Sequence, residues 1–173
     1  MSASAARTVR EAIRIARQAG TRVSYDPNLR LALWPLERAR DVILATLPLC
    51  DLFLPSLDDV RQLAGIDDPA GIVDWCHRMG ARQVVLKLGS QGCLVSDGGP
   101  PTAVAPFRVD AVDATGAGDC FDGTYLARLV AGDDVVSAAR WACVAAALAT
   151  MGQGAVAPLP GVQAVWNALK AKA

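Results

Sequence analysis

A chain of 173 residues is long enough to bury an apolar core without metal or disulfide staples, and its length suits one domain. Apolar residues make up 53% and charged residues 20%, which excludes disorder for the bulk of the chain. Seventeen basic side chains balance seventeen acidic ones, so no net field is on hand to hold a polyanion. No nucleic-acid partner is expected, and any anion must be met by a local site. The most apolar stretch, Trp141 to Met151, has eleven residues, too few to cross a ~30 Å hydrocarbon layer, so no membrane partner is expected either.

In chain order, Val9, Ala12, Ile13 and Ala16 fall on one face of a helix over residues 1–20 that Gly20 stops. The Arg, Ser and Ala content of this segment, with Glu11 its one acid, is superficially that of a transit peptide. A helix feeding directly into a strand is the simpler reading. That strand is expected at Arg22 to Tyr25, ending in the turn Asp26-Pro27-Asn28. A helix at about Leu36 to Leu47 leads to a strand at Leu52 to Leu54, stopped by Pro55. Helices at about Leu57 to Ala64 and Pro69 to Met79 lead to the strongest strand, Gln83 to Leu88. The loop Gly89-Ser90-Gln91-Gly92 joins it to Cys93 to Ser96 in a hairpin-like pairing. From Gly116 onward three helices are expected, at about 117–131, 133–151 and 161–171.

Strands alternating with helices of this length need crossover connections, which makes the class α/β with a mostly parallel sheet covered on both faces. No repeat or long linker divides the chain, so residues 1–173 read as a single domain. About three parallel strands can be counted, and the chain begins on a helix, so the expectation is that something upstream is missing. The five cysteines, Cys50, Cys76, Cys93, Cys120 and Cys143, lie 17 to 27 residues apart with no metal-ligand spacing. They read as buried thiols of a cytoplasmic protein. His77 reads as structural or exposed.

The segment that carries chemistry is Asp113-Ala114-Thr115-Gly116-Ala117-Gly118-Asp119-Cys120-Phe121. Small residues just before an amphipathic helix let a ligand approach main-chain N–H groups that lack intrahelical partners, at the positive end of the helix dipole. Asp119 follows in the first turn, where a carboxylate can take a proton from a hydroxyl. On spacing alone the same Asp serves equally well as a capping acid.

This segment closely resembles the C-terminal signature of the ribokinase family of sugar kinases, and the stretch Asp26 to Arg30 followed by Leu33-Trp34 looks like the one that closes on the sugar in 2-keto-3-deoxygluconate kinases and fructokinases. The resemblance implies a three-layer ribokinase-like sandwich, represented by its nucleotide-binding portion without the N-terminal strands and the β lid. It implies that Gly116, Ala117 and Gly118 stabilise the transferred phosphoryl group and that Asp119 is the base on the sugar hydroxyl. Asp26, Asn28 and Arg30 match the segment that closes on the sugar, and the Arg30 guanidinium suits the carboxylate of a sugar acid. Ser56 and Asp59 stand where the family carries Asn-x-x-Glu, which orders magnesium through water; Asp59 is one methylene shorter than Glu. Taken from sequence alone, the same pair is a helix cap with a first-turn acid. Lys87, Gly89, Ser90 and Gly92 match the loop that holds ATP, and Ala142, Cys143 and Ala146 the helix that walls the adenine. Tight-turn and close-packing roles account for these residues as well. Asp113 and Thr115, with backbone near Gly152 and Gly154, match positions that hold a monovalent cation such as potassium.

The leading expectation is therefore an ATP- and Mg2+-dependent kinase acting on 2-keto-3-deoxygluconate, with fructose or another sugar as the alternative. A second reading is a truncated remnant that binds nucleotide or a partner chain without catalysis. Its exposed strand edge near Arg22 to Asp26 would favour a homo-oligomer or a second chain that restores the N-terminal portion. A dinucleotide-binding oxidoreductase is rejected, because Gly116-Ala117-Gly118 comes late and lacks a third Gly and the βαβ context.

Overall fold

The computed structural model describes residues 2–171. Two compact units emerge, residues 1–86 with 96–101, and residues 87–95 with 102–173.

The first unit opens on α1 (Ala3–Gln18), whose Ser2 hydroxyl accepts the Ala5 N–H at 3.1 Å. Its apolar stripe is only partly covered: Ile13 is buried, whereas Val9 is 44% exposed. Three parallel strands follow, β1 (Ser24–Tyr25), β2 (Leu52–Phe53) and β3 (Gln83–Lys87), paired Ser24 with Leu52 and Leu52 with Gln83. The strand expected from Arg22 shrinks at its front because the Val23 N–H donates to the Asp51 carboxylate at 2.8 Å. Crossovers are made by α2 (Leu36–Thr46), which tightens into a 3-10 turn at Leu47–Leu49, and by α3 (Leu57–Ala64) with α4 (Pro69–Arg78). The helices start where sidechains cap them: Ser56 Oγ takes the Asp59 N–H at 3.2 Å, and the Asp68 carboxylate takes the Gly71 N–H at 2.7 Å.

Ile43, Leu54, Val60, Leu63, Ile72 and Val84 to Leu86 form this unit's core at 1% exposure or less. Each such side chain contributes ~1.5–3 kcal/mol relative to staying in water. Burial pushes the Cys76 thiol up to about 12, in keeping with an inert core cysteine. His77 is structural: Nδ1 donates to the Ala81 carbonyl and Nε2 meets the Ser96 hydroxyl, both at 2.8 Å.

The second unit contains the antiparallel pair β4 (Cys93–Ser96) and β5 (Thr102–Val104), in register Cys93 with Val104. Its helices are α5 (Ala117–Val130), α6 (Val135–Ala149) and α7 (Val162–Lys170). α6 starts two residues later than 133 because the Asp134 carboxylate takes the N–H groups of Val136 and Ser137. It packs along α5, and its Ala138, Ala139, Ala142, Ala145 and Ala149 are buried. Against α7, Val144, Ala145 and Val165 make a small core, and Trp141 stacks on Trp166 at 5.8 Å. Arg128 lies 4.4 Å over the Trp141 ring. Among the described residues, no helix is long and apolar enough to cross a membrane.

Candidate active site

In the second unit, the entry to α5 is built around Gly116. Its φ is +77°, and a Cβ there would come 2.8 Å from the Ala155 Cβ and 3.0 Å from the Ala155 Cα. Glycine is therefore required on both counts. Among the described residues no side chain caps α5, and its open N-terminus consists of backbone amides. The Ala117 N–H turns back to the Ala114 carbonyl at 3.1 Å, so of the three amides singled out in the sequence that one is already partnered. Asp119 stands in the first turn, exposed to solvent.

Asp113 anchors this turn from behind. Its Oδ1 accepts the Thr115 hydroxyl at 2.6 Å and the Thr115 N–H at 2.9 Å, while Oδ2 accepts the Gly154 N–H at 2.8 Å. The Thr115 hydroxyl first, then the two amides, hold the Asp113 carboxyl down at about 2. A monovalent cation at Asp113 and Thr115 would have to share oxygens already used by these donors.

Lys87, at the end of β3, gives its ammonium to both oxygens of Asp122 at 2.9 and 3.0 Å, with the two side chains 11% and 13% exposed. Removing one partner alone would leave a buried charge, at a cost of about 3–5 kcal/mol. The sequence pointed to Lys87 and missed Asp122. The signal was its place three residues after Asp119 on the same helix. The glycine loop forms a 3-10 turn at Gly89–Gln91, closed by a Leu88 N–H bond to the Gly92 carbonyl at 2.8 Å. Gly92 has φ +89°, and a Cβ on it would fall 2.1 Å from the Val104 carbonyl oxygen. Gly89 and Ser90 are exposed, with nothing within 4 Å of a Cβ at 89.

The three residues expected to wall the adenine differ in exposure. Ala142 is fully buried in helix packing and has no surface to offer a ligand. Cys143 is 8% exposed, with its sulfur 3.9 Å from that of Cys93. The hydrogen bond between the two thiols, with burial, pushes the Cys93 thiol up. Of the three residues, Ala146 alone is half-exposed.

In the first unit, Asp26 Oδ1 accepts the Asn28 N–H at 3.0 Å and holds Asn28 at φ +40°, a conformation Asn tolerates. Pro27 and Leu29 point into the core, so Asn28 and Arg30 point out. A pocket of about 310 Å³ opens here, lined among others by Tyr25, Asn28, Arg30, Leu33 and Trp34. The structure thus gathers Asn28 and Arg30 with Leu33-Trp34. Arg30 also donates to the Leu29 carbonyl at 3.0 Å. Asp59, 8% exposed, lies beside this turn: burial raises its pKa most and the Asp26 charge adds to that, opposed by hydrogen bonds from Ser56 and the Leu29 N–H. Ser56 and Asp59 supply hard oxygen donors, which suit magnesium, an ion that keeps several waters and uses few protein ligands. Among the described residues, no cluster of three or more His, Cys, Asp or Glu could hold a metal by itself.

The family model for pfkB family carbohydrate kinases matches residues 1–161. The chain belongs to that family. It is similar to fructokinase-1 of Zea mays, 37% identical over 158 residues that cover 86% of this chain and 49% of the maize protein. It is also similar to the 2-dehydro-3-deoxygalactonokinase of Haloferax volcanii, 33% identical over 143 residues, 82% of this chain and 45% of that one. Among solved structures, fructokinase from Vibrio cholerae O395 in its fructose-, ADP- and calcium-bound form superposes with a TM-score of 0.87 at 30% identity, covering 93% of this chain and 54% of that one. This pfkB-family chain therefore has the ribokinase-like α/β fold that the resemblance implied. It spans about half the length of the curated relatives it matches.

Proposed function

We propose that the protein transfers a phosphoryl group from ATP to a sugar hydroxyl. The observation that carries this reading is the N-terminus of α5 at Gly116, which no side chain caps, followed at once by an exposed Asp119. Phosphoryl transfer is catalysed mainly by positioning and charge stabilisation, and a rigid set of amides at a helix N-terminus provides both without reorganising during reaction. Asp119 accepts the proton of the attacking hydroxyl. The loop from Lys87 to Gly92 and the half-exposed Ala146 receive the nucleotide. Ser56 and Asp59 hold magnesium through water, and the ion supplies neutralisation of phosphate charge.

For the sugar we favour a carboxylated ketose such as 2-keto-3-deoxygluconate over fructose. Arg30 supports this, since its guanidinium lines the pocket beside Asn28 and can bind a carboxylate through two hydrogen bonds. The similarity to a sugar-acid kinase of Haloferax volcanii agrees, while the maize and Vibrio relatives keep fructose as the alternative. A second reading is a nucleotide- or partner-binding protein without catalysis. Calorimetry with ATP and Mg2+, followed by a coupled assay with each sugar, tests these readings. Heat without turnover on any sugar favours that second reading, and no heat at millimolar nucleotide overturns the nucleotide site.

A further inference from the structure

Position 87 closes a strand whose Val84, Val85 and Leu86 are fully buried, so an apolar residue there would simply extend the core. A lysine stands instead, and its side chain is nearly as covered, which requires a partner. Asp122 is that partner. A buried ion pair of this kind is weak evidence of stability, because apolar side chains of similar volume are often as stable or more so. The pair therefore calls for another explanation.

Gly118 supplies one. It lies inside α5, where glycine weakens a helix, and it is absent from the positions with positive φ, so its backbone conformation does not demand glycine. A Cβ built on Gly118 meets one group within 4 Å, the Lys87 ammonium, at 3.7 Å. The missing side chain thus leaves an opening flanked by that cation and by the first-turn amides. Asp122 is four residues further along the same helix and so shares the face of Gly118. Its two oxygens hold the ammonium at 3.0 and 2.9 Å, and of the two side chains only the Lys87 ammonium comes within 4 Å of the Cβ position at Gly118, so the cation is the end of the pair nearest the opening.

We propose that Asp122 is a positioning residue that holds the Lys87 ammonium against Gly118, so that a side-chain cation and the α5 amides make one site for the phosphate charge of the nucleotide. This rests on the kinase reading above. It moves Lys87 from a general contact of the glycine loop to the side of the phosphate amides, and it gives Asp122 a role that its distance in sequence conceals.

The test replaces the pair together, Lys87→Met with Asp122→Leu, which removes both charges without stranding either, and measures binding of ATP with Mg2+ and of adenosine by calorimetry on the whole chain. ATP affinity is expected to fall at least ~10-fold, the scale of one charge-assisted hydrogen bond, with adenosine affinity and melting temperature held. Asp122→Asn should give a smaller loss in the same direction, and Lys87→Arg should recover part of the ATP affinity. A double variant that binds ATP like the wild type, or that weakens ATP and adenosine equally, makes the pair structural and overturns the proposal. A wild type that binds no ATP brings down the kinase reading itself, which separates the two failures.

Discussion

The Asp113 carboxylate accepts the Gly154 N–H at 2.8 Å, across 41 residues, and so ties the approach to α5 to the loop after α6. Three donors favour its ionised form, so its folded pKa lies near 2, below the unfolded value of 3.8. The stabilisation is present above the unfolded value and is lost as pH falls from about 4 through 2. Asp113→Asn should therefore melt lower than the wild type at pH 7, with the gap closing over that window. Melting curves from pH 7 to 2 check this, and a gap independent of pH would mean the carboxylate charge is not what holds the turn.

Asp59 has the opposite sign. Burial and the nearby Asp26 raise its folded pKa above the unfolded value of 3.8, so the fold loses stability as pH rises through that value. Asp59→Asn is expected to melt higher than the wild type at pH 7 and equally below about pH 4. If Asp59 serves magnesium, the same variant should lose turnover despite its gain in stability.

The glycine loop offers a contrast between neighbours. Gly92→Ala combines a strained φ with a Cβ 2.1 Å from a backbone oxygen, and it should cost about 2–5 kcal/mol. Gly89→Ala meets open space at φ +58° and should cost about 1–2 kcal/mol. Denaturant titration of both variants decides whether close approach to Val104, rather than backbone strain alone, selects glycine at 92.

Asp119→Asn should lower turnover at least ~10²-fold while leaving ATP affinity and melting temperature nearly unchanged. Asparagine keeps the size and polarity of the side chain but takes a proton far less readily. Wild-type turnover in this variant would reduce Asp119 to a first-turn capping acid.

Arg30→Ala is expected to raise KM for a carboxylated ketose at least ~10-fold with little change for fructose, since only the acid meets the guanidinium in a two-point contact. Equal effects on both sugars would make fructose the better substrate assignment.

The parallel strands and most helices were legible because apolar runs and capping residues such as Ser56 and Asp68 are local signals. β5 was not, because three residues between Pro101 and Pro106, two of them exposed, carry no periodicity. That Ala142 is fully buried was not legible because α6 is alanine on most sides, and its pattern does not reveal which face is covered. The turn at Gly116 to Asp119 could be read as a contiguous motif. The Lys87–Asp122 pair and the closeness of Asp26 to Asp59 could not, since each depends on where distant segments meet.

The five buried alanines of α6 have a further consequence. Alanine has no side-chain rotamer to lose, so burying them incurs almost no side-chain entropy cost, whereas α5 buries the rings of Phe121 and Tyr125. Alanine also has no rotamer with which to absorb a displacement. An enlargement at any of these α6 alanines would therefore have to be taken up by a shift of the helix or of the residues packed on it.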